Sequence, residues 1–155
     1  GVNILIEAFN KISHIQLDVI GDGELFDELK NTANKNIIFH GAKDKAFISE
    51  MLSQTRALVF PSIWYEGLPN TLIEAFSAGT PVLASNIDNI NDIVISGYNG
   101  ETFSPNNPIE LVEKVLEFSN KETKQYGINA RKLYEKMYTH QKNFENLKDL
   151  YSKLN

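Results

Sequence analysis

Two glutamates, Glu66 and Glu74, stand eight positions apart on either side of the turn Gly67-Leu68-Pro69-Asn70. The stretch 66–85, EGLPNTLIEAFSAGTPVLAS, otherwise reads as an apolar helix running into an apolar strand. Gly67 lets another group come close to the backbone, and Pro69 stiffens the chain just before the helix. The helix's first amides, at residues 71 to 73, are expected to point outward as an anion site. A helix that reads Leu72-Ile73-Glu74-Ala75-Phe76 is expected to be buried, so a carboxylate within it needs partners. A plainer reading uses no ligand. Glu74 would then lie in the first turn, where the helix dipole favours a carboxylate by about 0.3–1 kcal/mol, and Glu66 would be a solvated loop residue.

Coulomb's law assigns the parts if a ligand is present. A carboxylate about 4 Å from a phosphate is repelled by roughly 1–4 kcal/mol near a protein surface. The glutamates should therefore face neutral donors and the amides should face phosphate. Hydroxyls donating to a carboxylate form charge-assisted bonds worth about 1.5–3 kcal/mol each. A nucleotide sugar offers hydroxyls at both ends with a diphosphate between them.

The elements that must position this turn follow from the hydrophobic pattern. Val2, Leu5, Ile6 and Phe9 have helical spacing, so 2–12 is predicted helical. A strand over 15–20 ends at Gly21, and a helix follows over 24–33 with Leu25, Phe26 and Leu29 on one face. A strand at 36–40, a helix at 45–54 and an apolar run at 57–62 stopped by Pro61 come next. The helix at 70–78 has Asn70 as its expected N-cap, with Gly79 and Pro81 as its stop. A strand at 81–85, a short helix at 90–96 and a weak strand at 99–104 lead to two or three helices from Pro108 onward. The last helix carries Phe144, Leu147, Leu150 and Tyr151 on one face. Short apolar strands alternating with helices predict an α/β fold, a doubly wound parallel sheet of about five strands, with C-terminal helices. Ligands of such sheets bind beyond the carboxyl ends of the strands. Those ends are Gly21 to Glu24, Gly41 to Lys45, Pro61 to Asn70 and Ser85 to Asn91.

Composition narrows the function classes. The 155 residues are 42% hydrophobic and 23% charged, which suits one ordinary globular domain. With no cysteine there is no disulfide, thiolate metal site or cysteine nucleophile. A net charge of −5 argues against a nucleic-acid partner but leaves room for an anion held by a helix N-terminus. No apolar run approaches 18 residues. His14, His40 and His140 lack metal-ligand spacing, and Ser62 has no companion base. Gly21-Asp22-Gly23 reads as a strand-to-helix turn rather than a hairpin, and it is not a G-x-G-x-x-G fingerprint. Trp64 and Tyr65 are candidates to line a sugar pocket or to meet another domain, and Lys43 is a candidate phosphate contact.

The ordered set of motifs resembles the retaining glycosyltransferases of family 4 (glycosyl transferases group 1), which are GT-B enzymes with two Rossmann-like domains. The resemblance rests on Glu66 and Glu74 spaced as E-x7-E, on FPS (60–62) before them and on AGTPVLAS (78–85) after. GVNILIEAF (1–9), VIGDGEL (19–25), IIFHGA (37–42) and GYNGETFSP (97–105) extend it along most of the chain. It implies a Rossmann-like half of a GT-B fold: a nucleotide-sugar donor-binding domain over residues 1–155, cut from a longer protein whose acceptor domain is absent. By that resemblance Glu66, the catalytic candidate, contacts hydroxyls of the transferred sugar and Glu74 contacts the ribose. Backbone at Gly67, Leu68, Pro69 and Asn70 passes the sugar and diphosphate, and the Thr71 and Leu72 amides meet the diphosphate. The loop of Gly41, Ala42 and Lys43 borders the base, and Gly21 joins the donor-binding set. No cofactor and no metal is expected.

The resemblance further implies transfer with retention from a nucleoside-diphosphate sugar, a UDP-sugar for preference, to a glycan or lipid-linked acceptor. Surface polysaccharide synthesis, such as capsule or lipopolysaccharide, is the expected setting. The expected location is cytoplasmic, at the inner face of the membrane if peripherally attached. Departures from the family pattern are Asp88 and Asn89 where it has glycines, Asn91 where it has proline, and Glu24 where it prefers proline. The family's basic pair falls upstream of Gly1, so weak donor affinity and no transfer are expected of residues 1–155 alone. Two other classes fit the glutamates: a glycoside hydrolase with its carboxyls about 5–5.5 Å or 6.5–9.5 Å apart, and a non-catalytic nucleotide-sugar-binding module. A GT-B epimerase fits the E-x7-E spacing poorly.

Overall fold

A computed structural model of the chain describes residues 1–65, 67–87 and 89–153. Its elements run α1 (Val2–Asn10), β1 (Leu17–Ile20), α2 (Phe26–Thr32), β2 (Ile37–Gly41), α3 (Lys45–Gln54) and β3 (Leu58–Phe60). They continue with α4 (Asn70–Ala78), β4 (Val82–Ser85), β5 (Gly100–Phe103), α5 (Pro108–Ser119), α6 (Lys124–Met137) and α7 (His140–Ser152). Strands and helices alternate as the pattern predicts, and every strand pair is parallel.

Local chemistry sets several boundaries. Asp44 caps α3, its carboxylate accepting from the Phe47 amide at 2.9 Å. Asn107 caps α5 in the same way through the Glu110 amide, with Pro108 at the first helical position. Gly79 ends α4 in the left-handed region at φ 75°, where a glycine carries no Cβ penalty.

Helices cover both faces of the strands. Leu83 of β4 joins Leu5, Phe9, Phe103, Leu111 and Phe118, so α1 and α5 pack on one face. Its neighbours Val82 and Ala84 join Leu52, Leu72, Phe76 and Ala130, so α3, α4 and α6 pack on the other. All four residues of β4 are buried, the signature of a central strand with no solvated side. The fold is doubly wound α/β with C-terminal helices, as expected.

The strands form two hydrogen-bonded sheets, β1-β2 and β3-β4-β5, rather than one sheet of five. Between β1 and β3 lies a slot of about 510 Å³ that reaches from Leu5 and Phe9 of α1 to Ile48 and Leu52 of α3. Residues 90–96, predicted as a short helix, form turns over 90–93, a bend at Val94 and a bridge from Ser96 to Gly100 instead. Asn99 explains the difference. It is fully buried, donates from Nδ2 to the Ile93 carbonyl at 2.9 Å and accepts from the Ile95 amide at 2.8 Å, holding the chain in a tight loop. The apolar stripe of α7 is present, yet Phe144, Leu147, Leu150 and Tyr151 are all exposed.

Candidate functional site

The carboxyl end of the strands gathers the loops that the sequence singles out. Gly21 and Gly41 meet there, the Gly21 amide donating to the Gly41 carbonyl at 2.9 Å. Both need glycine, with φ of 127° and 70°. Gly41 is the last residue of β2 rather than a loop residue, and exposed Ala42 and Lys43 follow it. The Lys43 ammonium lies 5.3 Å from the centre of the Phe47 ring.

Beside these loops α4 begins. Pro69 occupies the cap position and Asn70 is the first helical residue, so Asn70 is not the N-cap that the pattern predicts. The consequence falls on the amides. The Pro69 carbonyl accepts from Leu72 at 3.1 Å and from Ile73 at 3.5 Å. Among the described residues, the amides of Asn70 and Thr71 have no acceptor. The anion site expected from the amides of 71 to 73 is thus shifted one residue earlier, and the Leu72 amide is occupied.

Glu74 differs from expectation in two ways. It is exposed, not buried, so it has no desolvation to offset. It also lies beyond the first turn of α4, which holds no acidic residue, so the dipole does little for it. With Thr71 it borders the mouth of the slot between β1 and β3. Neither protein burial nor the dipole accounts for its place, which leaves its carboxylate open to an external donor. Glu66 and Asp88 lie outside the described residues.

Gly67 has open space where a Cβ would stand, and Leu68 is exposed while Pro69 is buried. The Gly67 carbonyl accepts from Asn89 Nδ2 at 2.9 Å. The pattern reading treats Asn89 as a departure that weakens the site, whereas the structure makes it a tie between the β4 loop and the Gly67 turn. Its Oδ1 is buried with no partner among the described residues. Trp64 and Tyr65 are about three-quarters exposed, at 74% and 76%, beside Ile63 and Leu68. They form an apolar shelf next to the Gly67 turn rather than packing on their own domain.

One pair went unread in the sequence. His40 Nε2 lies 2.7 Å from Asp18 Oδ1. The register pairs Asp18 with Ile38, which puts His40 two residues on and on the same face. Gln16 also donates to Asp18, at 2.9 Å, and the His40 ring tilts against Phe47 at 5.5 Å. Strand pairing brings the two together, and pairing is not visible in a linear pattern.

The shifted side chains Glu117, Lys121 and Tyr126 gather around Glu101 of β5, and Tyr138 is raised by burial and by Asp92. The Lys121 ammonium holds the Glu117 carboxyl below its ordinary range, and Glu117 in turn raises Lys121. Burial raises Tyr126, helped by its 2.9 Å bond to Glu101. These groups brace β5 against α5 and α6. The carboxyl end of the strands presents amides, carbonyls and an exposed carboxylate instead. Among the described residues no three His, Cys, Asp or Glu side chains group as metal ligands. Among the described residues no helix is long and apolar enough to cross a membrane.

The sequence profile of the glycosyl transferases group 1 matches residues 1–144. An uncharacterised glycosyltransferase of Methanocaldococcus jannaschii is 32% identical over 160 residues, covering 99% of this chain and 45% of its own length. The UDP-Gal:alpha-D-GlcNAc-diphosphoundecaprenol alpha-1,3-galactosyltransferase of Escherichia coli is 27% identical, covering 86% of this chain and 35% of its own. An Anabaena protein crystallised in complex with UDP and glucose superposes with a TM-score of 0.86 at 20% identity, over 98% of this chain and 45% of that one. The chain therefore spans less than half the length of these relatives and has the fold of one half of a GT-B enzyme. This chain belongs to the glycosyl transferases group 1.

Proposed function

We propose that residues 1–155 are the nucleotide-sugar donor-binding half of a retaining hexosyltransferase, and that the donor is a UDP-sugar. The observation that carries this reading is the start of α4. Two amides without acceptors among the described residues, at Asn70 and Thr71, stand one turn from an exposed carboxylate at the carboxyl end of a parallel sheet. The amides and the helix dipole take the diphosphate, and Glu74 accepts from the ribose hydroxyls. The Gly67 to Asn70 backbone runs along the sugar and diphosphate, with the Asn70 and Thr71 amides rather than that of Leu72 at the diphosphate end. Gly21, Gly41, Ala42 and Lys43 border the base. Glu66 accepts from hydroxyls of the transferred sugar.

In the reaction the bond from the anomeric carbon to the diphosphate breaks and an acceptor hydroxyl takes its place with the same configuration. Charge grows on the leaving diphosphate, so fixed amides aimed at it stabilise the transition state more than the ground state. The galactosyltransferase relative uses UDP-Gal and a diphosphoundecaprenol-linked sugar, and the Anabaena structure holds UDP and glucose. Both support a UDP-sugar donor, and the first supports a lipid-linked glycan acceptor. The acceptor and its base belong to the rest of the full-length protein.

Calorimetry with UDP and UDP-sugars, together with the anomeric configuration of the product, tests the reading. The full-length protein should bind UDP and yield a retained linkage, and residues 1–155 alone should bind weakly and transfer nothing. Failure of the full-length protein to bind any nucleotide sugar contradicts it, and micromolar binding by residues 1–155 contradicts the weak-affinity part. The tie from Asn89 adds a smaller effect. Asn89→Ala releases the Gly67 carbonyl and should raise the donor KM several-fold, in line with about 1 kcal/mol for one neutral hydrogen bond, with kcat nearly unchanged.

A further inference from the structure

A groove of about 710 Å³ lies at the amino ends of β3 and β4, at the other end of the sheet from the Gly67 turn. Its floor is backbone. Gly79, which ends α4, and Gly127 of α6 pack so closely that a Cβ on Gly127 would stand 2.5 Å from the Gly79 carbonyl oxygen. Its walls are the end of α3, with Thr55 and Arg56, and one face of α6. Lys124, Ile128, Arg131 and Lys132 share that face because they recur at helical spacing. Arg56, Lys124, Arg131 and Lys132 thus line the groove, and among the described residues no lining side chain is acidic. The chain as a whole carries a net charge of −5, so this positive cluster runs against its average. Helix ends explain the two arginines. Arg131 donates from Nη1 to the Ser77 carbonyl near the end of α4, and from Nε to Glu135 at 2.7 Å. Arg56 donates from Nε and Nη2 to the Phe118 and Lys121 carbonyls at the end of α5. Cations are favoured at helix carboxyl ends by the dipole. Lys124 and Lys132 have no such role. Both are exposed, and neither forms an ion pair among the described residues. Lys124 is the first residue of α6, the end at which a cation is disfavoured. The carboxylate beside it, Glu122, accepts from the Lys124 amide at 3.0 Å.

We propose that this groove binds a small, multiply charged phosphate compound. Charges of one sign around a concave wall add their fields and concentrate a counter-ion there. The Arg56 guanidinium is fixed by its bonds to α5, and its Nη1 has no acceptor among the described residues. It offers the rigid N–H fork that suits phosphate oxygens, while Lys124 and Lys132 supply mobile point charges. Thr55 and Thr123 add hydroxyls to the lining. The volume falls within the roughly 300–1,000 Å³ usual for small-ligand sites. A lipid surface fits less well. The floor is recessed, and among the described residues Pro81 and Ile128 are the only apolar side chains in the lining, too few to enter a bilayer.

Calorimetry of the full-length protein with tripolyphosphate tests the proposal, with UDP in excess to fill any nucleotide site. Tripolyphosphate should still bind. Lys124→Gln combined with Lys132→Gln should weaken it by about tenfold or more, through lost charge-assisted contacts. Lys35→Gln combined with Lys148→Gln removes the same charge from exposed positions outside the groove, and should change the affinity by no more than about twofold. In the wild-type protein, tripolyphosphate should also slow amide exchange in the first turns of α6, a readout that needs no variant. Absence of tripolyphosphate binding overturns the proposal, and so does equal weakening by the two pairs of substitutions. Exchange in α6 that ignores the ligand overturns it as well. Binding to phosphatidylglycerol vesicles without binding to tripolyphosphate overturns it too, since the groove then serves lipid. The comparison between the two pairs does not depend on UDP, so a failed donor reading leaves it intact.

Discussion

Glu66→Gln and Glu74→Gln in the full-length protein are each expected to lower kcat/KM by about 5- to 13-fold, and by different routes. Each substitution replaces a charge-assisted bond, worth about 1.5–3 kcal/mol, with a weaker neutral one at constant shape. Glu74 is assigned to the ribose, which is unchanged by the reaction. Its loss is therefore uniform, raising KM for the donor and Kd for UDP alike. Glu66 is assigned to the transferred sugar, where charge and geometry change at the anomeric carbon. Its loss should fall mainly on kcat, and UDP, which lacks the sugar, should bind Glu66→Gln as tightly as wild type. Steady-state kinetics with UDP calorimetry separates the two. A UDP affinity that drops for Glu66→Gln and not for Glu74→Gln would reverse the assignment. Folding should be untouched by Glu74→Gln, because the Glu74 side chain is exposed.

Gly100→Ala is expected to be among the most destabilising single changes in the domain, by about 3 kcal/mol or more. A Cβ at this position would run into the Val82 carbonyl and come within 2.8 Å of Val94 Cγ1. The backbone it strikes belongs to β4, whose Val82 and Ala84 are fully buried, so relief by a small shift is not available. Overpacking of this kind typically costs about 1–3 kcal/mol, and collision with a central strand lies at or above the top of that range. Urea denaturation followed by circular dichroism measures it. A midpoint unchanged from wild type would mean that β5 can move away from β4. The same observation reassigns a motif. Asn99-Gly100, part of the family resemblance, is a structural device: the asparagine holds the 93–99 loop and the glycine lets β5 approach β4.

The alternation of strands and helices, both covered faces of β4 and the gathering of loops at one end were legible from periodicity alone. What escaped depends on the third dimension. Pro69 takes the cap position that Asn70's side-chain chemistry suggests for itself, its φ of −67° being helical and its ψ of 115° setting it just outside the helix. Glu74 looked buried because its helix is apolar, yet the stripe of Leu72, Ala75 and Phe76 carries that burial and Glu74 lies off it. The turns at 90–96 pass as a helix to any periodic reading, since Ile90, Ile93 and Val94 keep helical spacing while Asn99 captures their backbone. Asn89 departs from the family's residue at that point, and only the hydrogen bond to Gly67 shows its part. The break between β1 and β3 has no sequence mark within the chain at all.

The account turns on diphosphate held by the start of α4, and a crystal structure of the full-length protein soaked with UDP tests that most directly. It should place a phosphate oxygen about 3 Å from the Asn70 and Thr71 amides, with the Glu74 carboxylate on a ribose hydroxyl. A diphosphate bound away from these amides, with Glu74 turned to solvent, would contradict it.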